Sequence, residues 1–477
     1  MNVAFLIPPE THSIESSLPK GLENGKGVYP KLGLLYVAGF LEQELGVVPA
    51  VIDCPAERLD YPGLEHRLRQ AAPDVLGIST LTFNLIDCWK TVRLAKRVLP
   101  NTKIVIGGQH VTLYPEETLG LEGVDMVVHG EGERVFVRLI EALQAGGSPE
   151  LLEVIPGLGF IRPNGEHFIH PHQDKVDDLD SLANPARHLI DLSRYDHIAA
   201  EGEKLATMQT SRGCPAKCLF CDIRMTKFRK RSPENVMAEL RYLVEERGVD
   251  DIFFVDDTIT IDRNRLFEIC EMIKTSGLKI HFKVSARVDT VKPAILKALR
   301  EAGCYRIHYG VESATPRLLK YLQKQVTPEK VTQAFRWTRD AGIGSFAYCM
   351  IGIPTETRQE MMNTVDFAIS LDPDYAQFSI CTPYPRTALY ESMLQMGHIS
   401  ADYWREFARN PSEDFRIRFW NKLYTEDELR ELQSEAHRRF YSRPRYIARQ
   451  ARRVRSWSDL KSKAEVGAKI LLRQLNR

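Results

Sequence analysis

Twice along this chain of 477 residues, short apolar runs ending in turn-forming or polar residues alternate with stretches of helical periodicity. That rhythm restricts the fold to α/β classes built on parallel strands. In the first series the runs are "VAFLIPP", "VVPAVIDC", "DVLGISTLT", "KIVIGGQHVT" and "DMVVHGEGE", with helical segments such as "YPKLGLLYVAGFLEQELG" and "LIDCWKTVRLAKRVLP" between them. They predict one doubly wound parallel sheet over residues 1–147, with ligands expected outside the carboxyl ends of its strands. The second series runs through "LATMQTSRG", "DIFFVDDTIT", "IHFKVSARV", "YRIHYGVES", "FAYCMIGIP" and "YAQFSICTPYP". Six strand–helix units over residues 205–392 predict most of a parallel barrel, with polar motifs at the strand ends, where barrel enzymes carry their chemistry. Residues 148–204 lose the rhythm and read as a linker with a small hairpin around Asn164-Gly165. Residues 393–477 read as a helical segment with a basic tail.

The loop after the first strand of the second series, "SRGCPAKCLFCDIR", holds Cys214, Cys218 and Cys221 at spacings of four and three. Structural zinc sites close a tetrahedron with four ligands, usually from two CxxC-type pairs, so zinc here requires a fourth ligand from elsewhere in the chain. Three thiolates suit a cubane iron–sulfur cluster, in which a missing fourth thiolate leaves one iron open to an exogenous ligand.

The pattern Cys214-x-x-x-Cys218-x-Phe220-Cys221, opening a six-unit partial barrel, resembles the radical S-adenosylmethionine (SAM) enzymes over about Leu205 to Pro385. The resemblance implies a 4Fe–4S cluster on the three cysteines, with SAM chelating the open iron and cleaved by electron transfer to a 5'-deoxyadenosyl radical. An external donor such as flavodoxin or ferredoxin is then implied. It also implies SAM contacts from Phe220 beside the adenine and from Glu312 of "GVES". Arg287 of "SARVD" is expected to pair with the SAM carboxylate, or else with Asp256 or Asp257. Of the adjacent carboxylates in "FFVDDT" only one can point inward while the chain is extended, and Asp256 is assigned inward, toward SAM. "MIGIPTET" is expected either to approach the adenine or to be a plain turn. His308, Tyr309, Tyr384 and Arg386 are expected on the substrate side.

A Rossmann-like domain ahead of such a barrel resembles the cobalamin-binding branch of the family. That branch includes the anaerobic magnesium-protoporphyrin ester cyclase and hopanoid-processing enzymes. The resemblance places Ser79, Thr80, Leu81, Gly107, Gly108, Gly130 and Glu131 at the cobalamin. Paired glycines let backbone approach a bulky ligand, and hydroxyls can bond its nucleotide tail. The stretch "ETHSIE" has Glu10 and Glu15 where a cobalt-ligating DxHxxG motif has Asp and Gly, so His12 is expected not to be a ligand. No GxGxxG follows a strand, which disfavours a nicotinamide dinucleotide. The function implied is hydrogen abstraction from an unactivated carbon of a hydrophobic or polycyclic small molecule, followed by C-methylation, with cyclisation or rearrangement as the alternative. tRNA methylthiolation is disfavoured because residues 1–204 contain only Cys54 and Cys88, too few for that family's three-cysteine domain. A non-catalytic cobalamin sensor has no need of three cluster cysteines, and nucleic acid is not expected as a partner.

Charge and cysteine usage bound the setting. No run approaches the roughly 20 apolar residues of a membrane span, and "MNVAFLIPPE" lacks the basic region and cleavage site of a signal peptide, so a cytoplasmic location is expected. There Cys54, Cys88, Cys270, Cys304, Cys349 and Cys381 are expected as buried thiols. Residues 438–477 carry thirteen Lys or Arg against Asp459 and Glu465, so a net +1 divides into about +11 for the tail and about −10 for the rest. Two readings follow for the tail: peripheral contact with an anionic membrane, or docking on the acidic body.

Overall fold

A computed structural model describes residues 1–14, 27–195, 201–399, 401–419 and 423–452. Among these the chain divides into two compact units, one of residues 1–14, 30–195 and 399–416, the other of 27–29, 201–398 and 417–452.

The first unit is built on β1 (Val3–Ile7), β2 (Ala50–Asp53), β3 (Val75–Ser79), β4 (Lys103–Gly107), β5 (Met126–Val128), β6 (Leu158–Ile161) and β7 (His167–Ile169). The sheet order is β2-β1-β3-β4-β5-β6-β7. The first five are parallel, and β1 pairs with both β2 and β3, which makes that position the switch point of a doubly wound sheet. The strands are buried on both faces, as expected where helices cover a parallel sheet. The hairpin predicted around Asn164-Gly165 forms as β6 and β7, but it lies inside the sheet order, antiparallel to β5, instead of in a free linker. Its Leu158 and Phe160 join the core cluster with Val128 and Phe136.

The second unit contains β8 (Leu205–Met208), β9 (Ser211–Arg212), β10 (Arg229–Lys230), β11 (Asp251–Phe254), β12 (His281–Ala286), β13 (Cys304–Glu312), β14 (Gly344–Ile351) and β15 (Tyr375–Ile380). Six of them form the parallel order β8-β11-β12-β13-β14-β15, a partial barrel. Side chains alternate between its faces. On β14 and β15 the outward Ala347, Cys349, Ala376, Phe378 and Ile380 are buried, while the inward Phe346, Tyr348, Tyr375, Gln377 and Ser379 are only half-buried. The outer layer is helical: Tyr309 packs on Phe335 of the helix Pro328–Asp340, and Phe378 on His437 and Phe440 of the helix Glu426–Tyr441. The barrel interior is therefore accessible, and the apolar core lies between strands and helices.

The six cysteines outside the loop are all buried and free. The tail as far as Arg452 docks on the barrel: Tyr446 is buried and its hydroxyl donates to the Asp374 carbonyl (3.1 Å), while Arg449 reaches Asp372 (2.9 Å). The remainder, residues 453–477, lies outside the described residues. No helix among the described residues is long and apolar enough to cross a membrane.

Candidate functional site

The cysteine loop leaves the carboxyl end of β8 and is anchored at its root by a neighbouring strand. Asp256, just past β11, is fully buried; Oδ1 accepts from the backbone N–H groups of Thr210 and Ser211 (2.6 Å each), and Oδ2 from the Thr210 hydroxyl (2.7 Å). Burial raises its pKa, and the hydrogen bonds oppose that rise. Asp256 has the strand phase of the buried Phe254, opposite to that of Phe253, so the expected inward direction is not met, and its oxygens hold the root of the loop where contact with SAM was expected. Asp257 turns the other way and accepts from the Gly213 N–H (2.9 Å). From below, Arg265 donates to the carbonyls of Thr210 (2.9 Å) and Arg231 (2.6 Å).

The loop then closes on itself. β9 pairs with β10, Thr226 N–H donates to the Cys214 carbonyl (3.0 Å), and Cys214 N–H donates to the Thr226 hydroxyl (2.8 Å). Gly213 adopts φ 92°, and a Cβ there would lie 2.3 Å from the Lys227 carbonyl, so no other residue fits. Cys214 and Cys218 are buried and Cys221 is half-buried. The Cys221 thiol is pushed up to about 12, first by burial and then by Asp222, Cys218 and Cys214. Three cysteine thiols on one short loop are the usual donors of an iron–sulfur cluster, so the donor set fits one. Among the described residues no group of three or more His, Cys, Asp or Glu side chains could hold a single metal ion. A cubane does not need such convergence, because each thiolate takes a different iron.

Around this loop the structure gathers three predicted residues and one that sequence reasoning missed. Arg287, after β12, directs Nη1 at Cys218 Sγ (3.5 Å) and Nη2 at the Lys324 carbonyl (2.8 Å). Its carboxylate partner is Asp289 (3.0 and 2.9 Å), in place of the expected Asp256 or Asp257. Glu312 closes β13 at φ 62°, where the register against β14 shifts, and its Oε1 accepts from Lys324 Nζ (2.7 Å). Both side chains are buried, and Lys324 Nζ lies 5.8 Å from the Phe220 ring centroid. A Cβ on Gly310 would fall 2.3 Å from Glu312 Oε1 and 2.6 Å from Lys324 Nζ, so the glycine of "GVES" makes room for this pair. The Leu219 N–H donates to the Leu322 carbonyl (3.0 Å), which binds the cysteine loop to the segment carrying Lys324. Lys324 sits twelve positions after Glu312, beyond the helix Pro316–Tyr321, and no local motif marks it.

The other barrel residues separate by strand phase. His308 points into the lumen, with Nδ1 3.0 Å from the Tyr348 hydroxyl. Tyr309 is its neighbour and therefore faces out, buried against the helix layer with its hydroxyl 2.8 Å from that of Thr338; it is not on the substrate side. Tyr384 is half-buried, and its carbonyl accepts from Thr387, the cap of the helix Ala388–Gln395; Arg386 is exposed. The "MIGIPTET" turn buries Glu356, whose Oε2 accepts from the Ile353 N–H (3.0 Å).

In the first unit, the predicted cobalamin residues lie at the carboxyl edge of β3, β4 and β5. Leu81 is 41% exposed and Ser79 half-buried. A Cβ on Gly107 would meet Val128 at 3.8 Å, an ordinary contact, and the exposed Leu81 leaves an apolar surface at this edge that fits a corrin ring. Four of the predicted residues have roles within the fold itself. Thr80 is buried, its hydroxyl 3.1 Å from Asn84 Oδ1, and serves the loop. Glu131 Oε2 accepts from the Val176 N–H (2.7 Å), and Gly130 pairs with Asp174, so both fasten the segment after β7. Gly108, at φ 109°, is required by the Thr80 carbonyl, 2.5 Å from where its Cβ would be. His12 has both ring nitrogens engaged: Nδ1 lies 2.7 Å from the buried Asp87 and Nε2 3.0 Å from Lys90 Nζ.

The family described as the radical SAM superfamily matches residues 208–368, and the B12 binding domain matches residues 21–140. Over 451 residues the chain is 33% identical to a methyltransferase of Pyrococcus horikoshii described as uncharacterized, covering 94% of each. This chain belongs to the cobalamin-binding radical SAM family. Within that family it is 30% identical over 377 residues to the anaerobic magnesium-protoporphyrin IX monomethyl ester cyclase of Cereibacter sphaeroides, covering 77% of this chain and 61% of that one. Its fold is that of the radical SAM methyltransferase TsrM of Kitasatospora setae, solved with cobalamin and a 4Fe–4S cluster. The TM-score is 0.65 at 18% identity, covering 83% of this chain and 75% of the other. As a radical SAM enzyme of this branch, it uses a 4Fe–4S cluster, SAM and cobalamin.

Proposed function

We propose that this enzyme methylates an unactivated carbon of a hydrophobic small molecule. The observation that carries the reading is the convergence of Arg287 on Cys218 and of the Lys324–Glu312 pair on Phe220. It puts two cations and two carboxylates, Glu312 and Asp289, beside the cysteine loop, groups that complement an amino acid's carboxylate and amine. Cys214, Cys218 and Cys221 hold the cluster. Arg287 and Lys324 meet the SAM carboxylate, Glu312 accepts from its amine, and Phe220 lies by the adenine. When bound, the cluster supplies the electron that cleaves SAM to a 5'-deoxyadenosyl radical, and cobalamin supplies the methyl group. The chain's own part is to orient SAM against the lumen and to keep water out. The electron comes from an external donor of the flavodoxin or ferredoxin type.

The similarity to the magnesium-protoporphyrin cyclase favours one second reading, ring formation without methyl transfer. One experiment tests both. Anaerobically reconstituted enzyme is incubated with SAM, methylcobalamin and a reductant, against a Cys214→Ala, Cys218→Ala, Cys221→Ala control. Cysteine-dependent 5'-deoxyadenosine is expected; none from a loaded cluster overturns the reading. With substrate present, S-adenosylhomocysteine in step with 5'-deoxyadenosine marks methylation, and 5'-deoxyadenosine alone marks cyclisation. The basic tail, in which Ile447 is exposed, is proposed to contact an anionic membrane peripherally. Liposome flotation of the full chain against a truncation at Ser442 tests it, and equal flotation removes it.

A further inference from the structure

We propose that the barrel lumen takes a substrate whose reacting body is a planar, conjugated ring system, not a saturated polycycle. This rests on the radical SAM reading above and narrows its substrate. Five side chains on four strands supply the wall: Phe253 on β11, His308 on β13, Phe346 and Tyr348 on β14, and Tyr375 on β15. His308, Phe346 and Tyr375 are in direct register across three strands. Their rings form a ladder, with centroids 4.9 Å apart at 22° and 6.0 Å apart at 24°. Phe253 extends it at 5.5 Å from His308, and the Tyr348 hydroxyl fixes the imidazole from above.

These rings, half-buried apart from the more deeply buried His308, are what a molecule entering the lumen meets. Apart from Met350, which shares the phase of Phe346 and Tyr348, the apolar aliphatic side chains of β13, β14 and β15, such as Ile307, Val311, Ala347, Ile351, Ala376 and Ile380, have the opposite strand phase and are buried. At its amino-terminal end the ladder meets Tyr29, whose hydroxyl accepts from the buried Lys283 (3.1 Å) and whose ring lies 5.7 Å from Phe253. A ligand therefore rests between that floor and the cysteine loop at the carboxyl ends of the strands. Aromatic contacts add to affinity beyond the area they bury, and a saturated ring of the same size does not receive that addition.

The test is equilibrium dialysis of the reconstituted full chain with a matched pair of probes, 2-naphthoate and decahydro-2-naphthoate, alike in size and charge. The naphthoate is expected to bind about five- to tenfold more tightly. Phe346→Leu and Tyr375→Leu, which keep apolar volume and remove a ring, are expected to bring the ratio toward one. Phe346→Tyr keeps the ring and is expected to keep the ratio, which separates loss of stacking from loss of fold. Equal binding of the probes, tighter binding of the saturated one, no binding of either, or a ratio unchanged in both leucine variants would overturn the proposal. Cysteine-dependent SAM cleavage without substrate is scored on the same preparation, so failure of the radical SAM reading is seen separately.

Discussion

Replacing Glu356 by glutamine is expected to stabilise the protein, by an amount that grows with pH. The carboxyl group is buried in the turn after β14, one oxygen accepts from the Ile353 N–H, and among the described residues the other has no hydrogen-bond partner. Burial pushes its pKa up from 4.5 to about 8. The folded state therefore holds this proton after the unfolded chain has released it, so stability falls as pH rises from 4.5 to 8 and is flat outside that window. At about 1.4 kcal/mol per pH unit, the cost is on the order of 3 kcal/mol at pH 7 and levels off at about 5 kcal/mol above pH 8. Glutamine keeps an oxygen for Ile353 and never ionises. Urea midpoints of Glu356→Gln and the parent should nearly coincide near pH 4.5 and separate steadily up to pH 8.5. Parallel midpoints across that range, or a parent that gains on the variant as pH rises, would refute a neutral buried carboxyl.

Lys324→Met should strand Glu312 as an uncompensated buried charge, raise KM for SAM at least tenfold and change the cluster's electron paramagnetic resonance signal with SAM; Lys324→Arg should recover much of both. Gly213→Ala should abolish cluster assembly, read as iron per chain after reconstitution, because its Cβ has no place beside the Lys227 carbonyl. Asp256→Ala removes three hydrogen bonds at the root of the loop, each worth about 1.5–3 kcal/mol when one partner is charged, and should lower iron content and the melting temperature together. Leu81→Glu should weaken cobalamin retention about tenfold, measured by gel filtration and absorbance, with the iron–sulfur spectrum unchanged.

The cysteine loop was legible because its function is local: thiolate spacing within eight residues specifies a cluster without knowledge of what surrounds it. The two α/β series were legible for the same kind of reason, since strand and helix periods are written in consecutive residues. The hairpin after residue 148 was visible as a hairpin, but its place in the sheet order depended on β5 having a free edge. His308 and Tyr309 show the limit most directly. Strand alternation guarantees that they face opposite ways, yet which one faces the lumen follows from where the helices pack. Asp256 and Asp257 pose the same problem, and there neither the direction nor the partner of Asp256 was legible. Asp256 reaches Thr210 and Ser211 because β11 lies beside β8, a neighbour in the sheet forty-six residues away in the chain. Sequence by itself determined the parallel α/β architecture, the three-cysteine spacing on which the cluster proposal rests and the burial of the remaining cysteines, all set by short-range pattern and hydrophobicity. Tertiary structure alone decided Lys324 as the partner of Glu312, Asp289 as the partner of Arg287, and the aromatic wall of the lumen. Those contacts join separate strands and loops, and only strand order and register bring them within hydrogen-bonding or stacking distance.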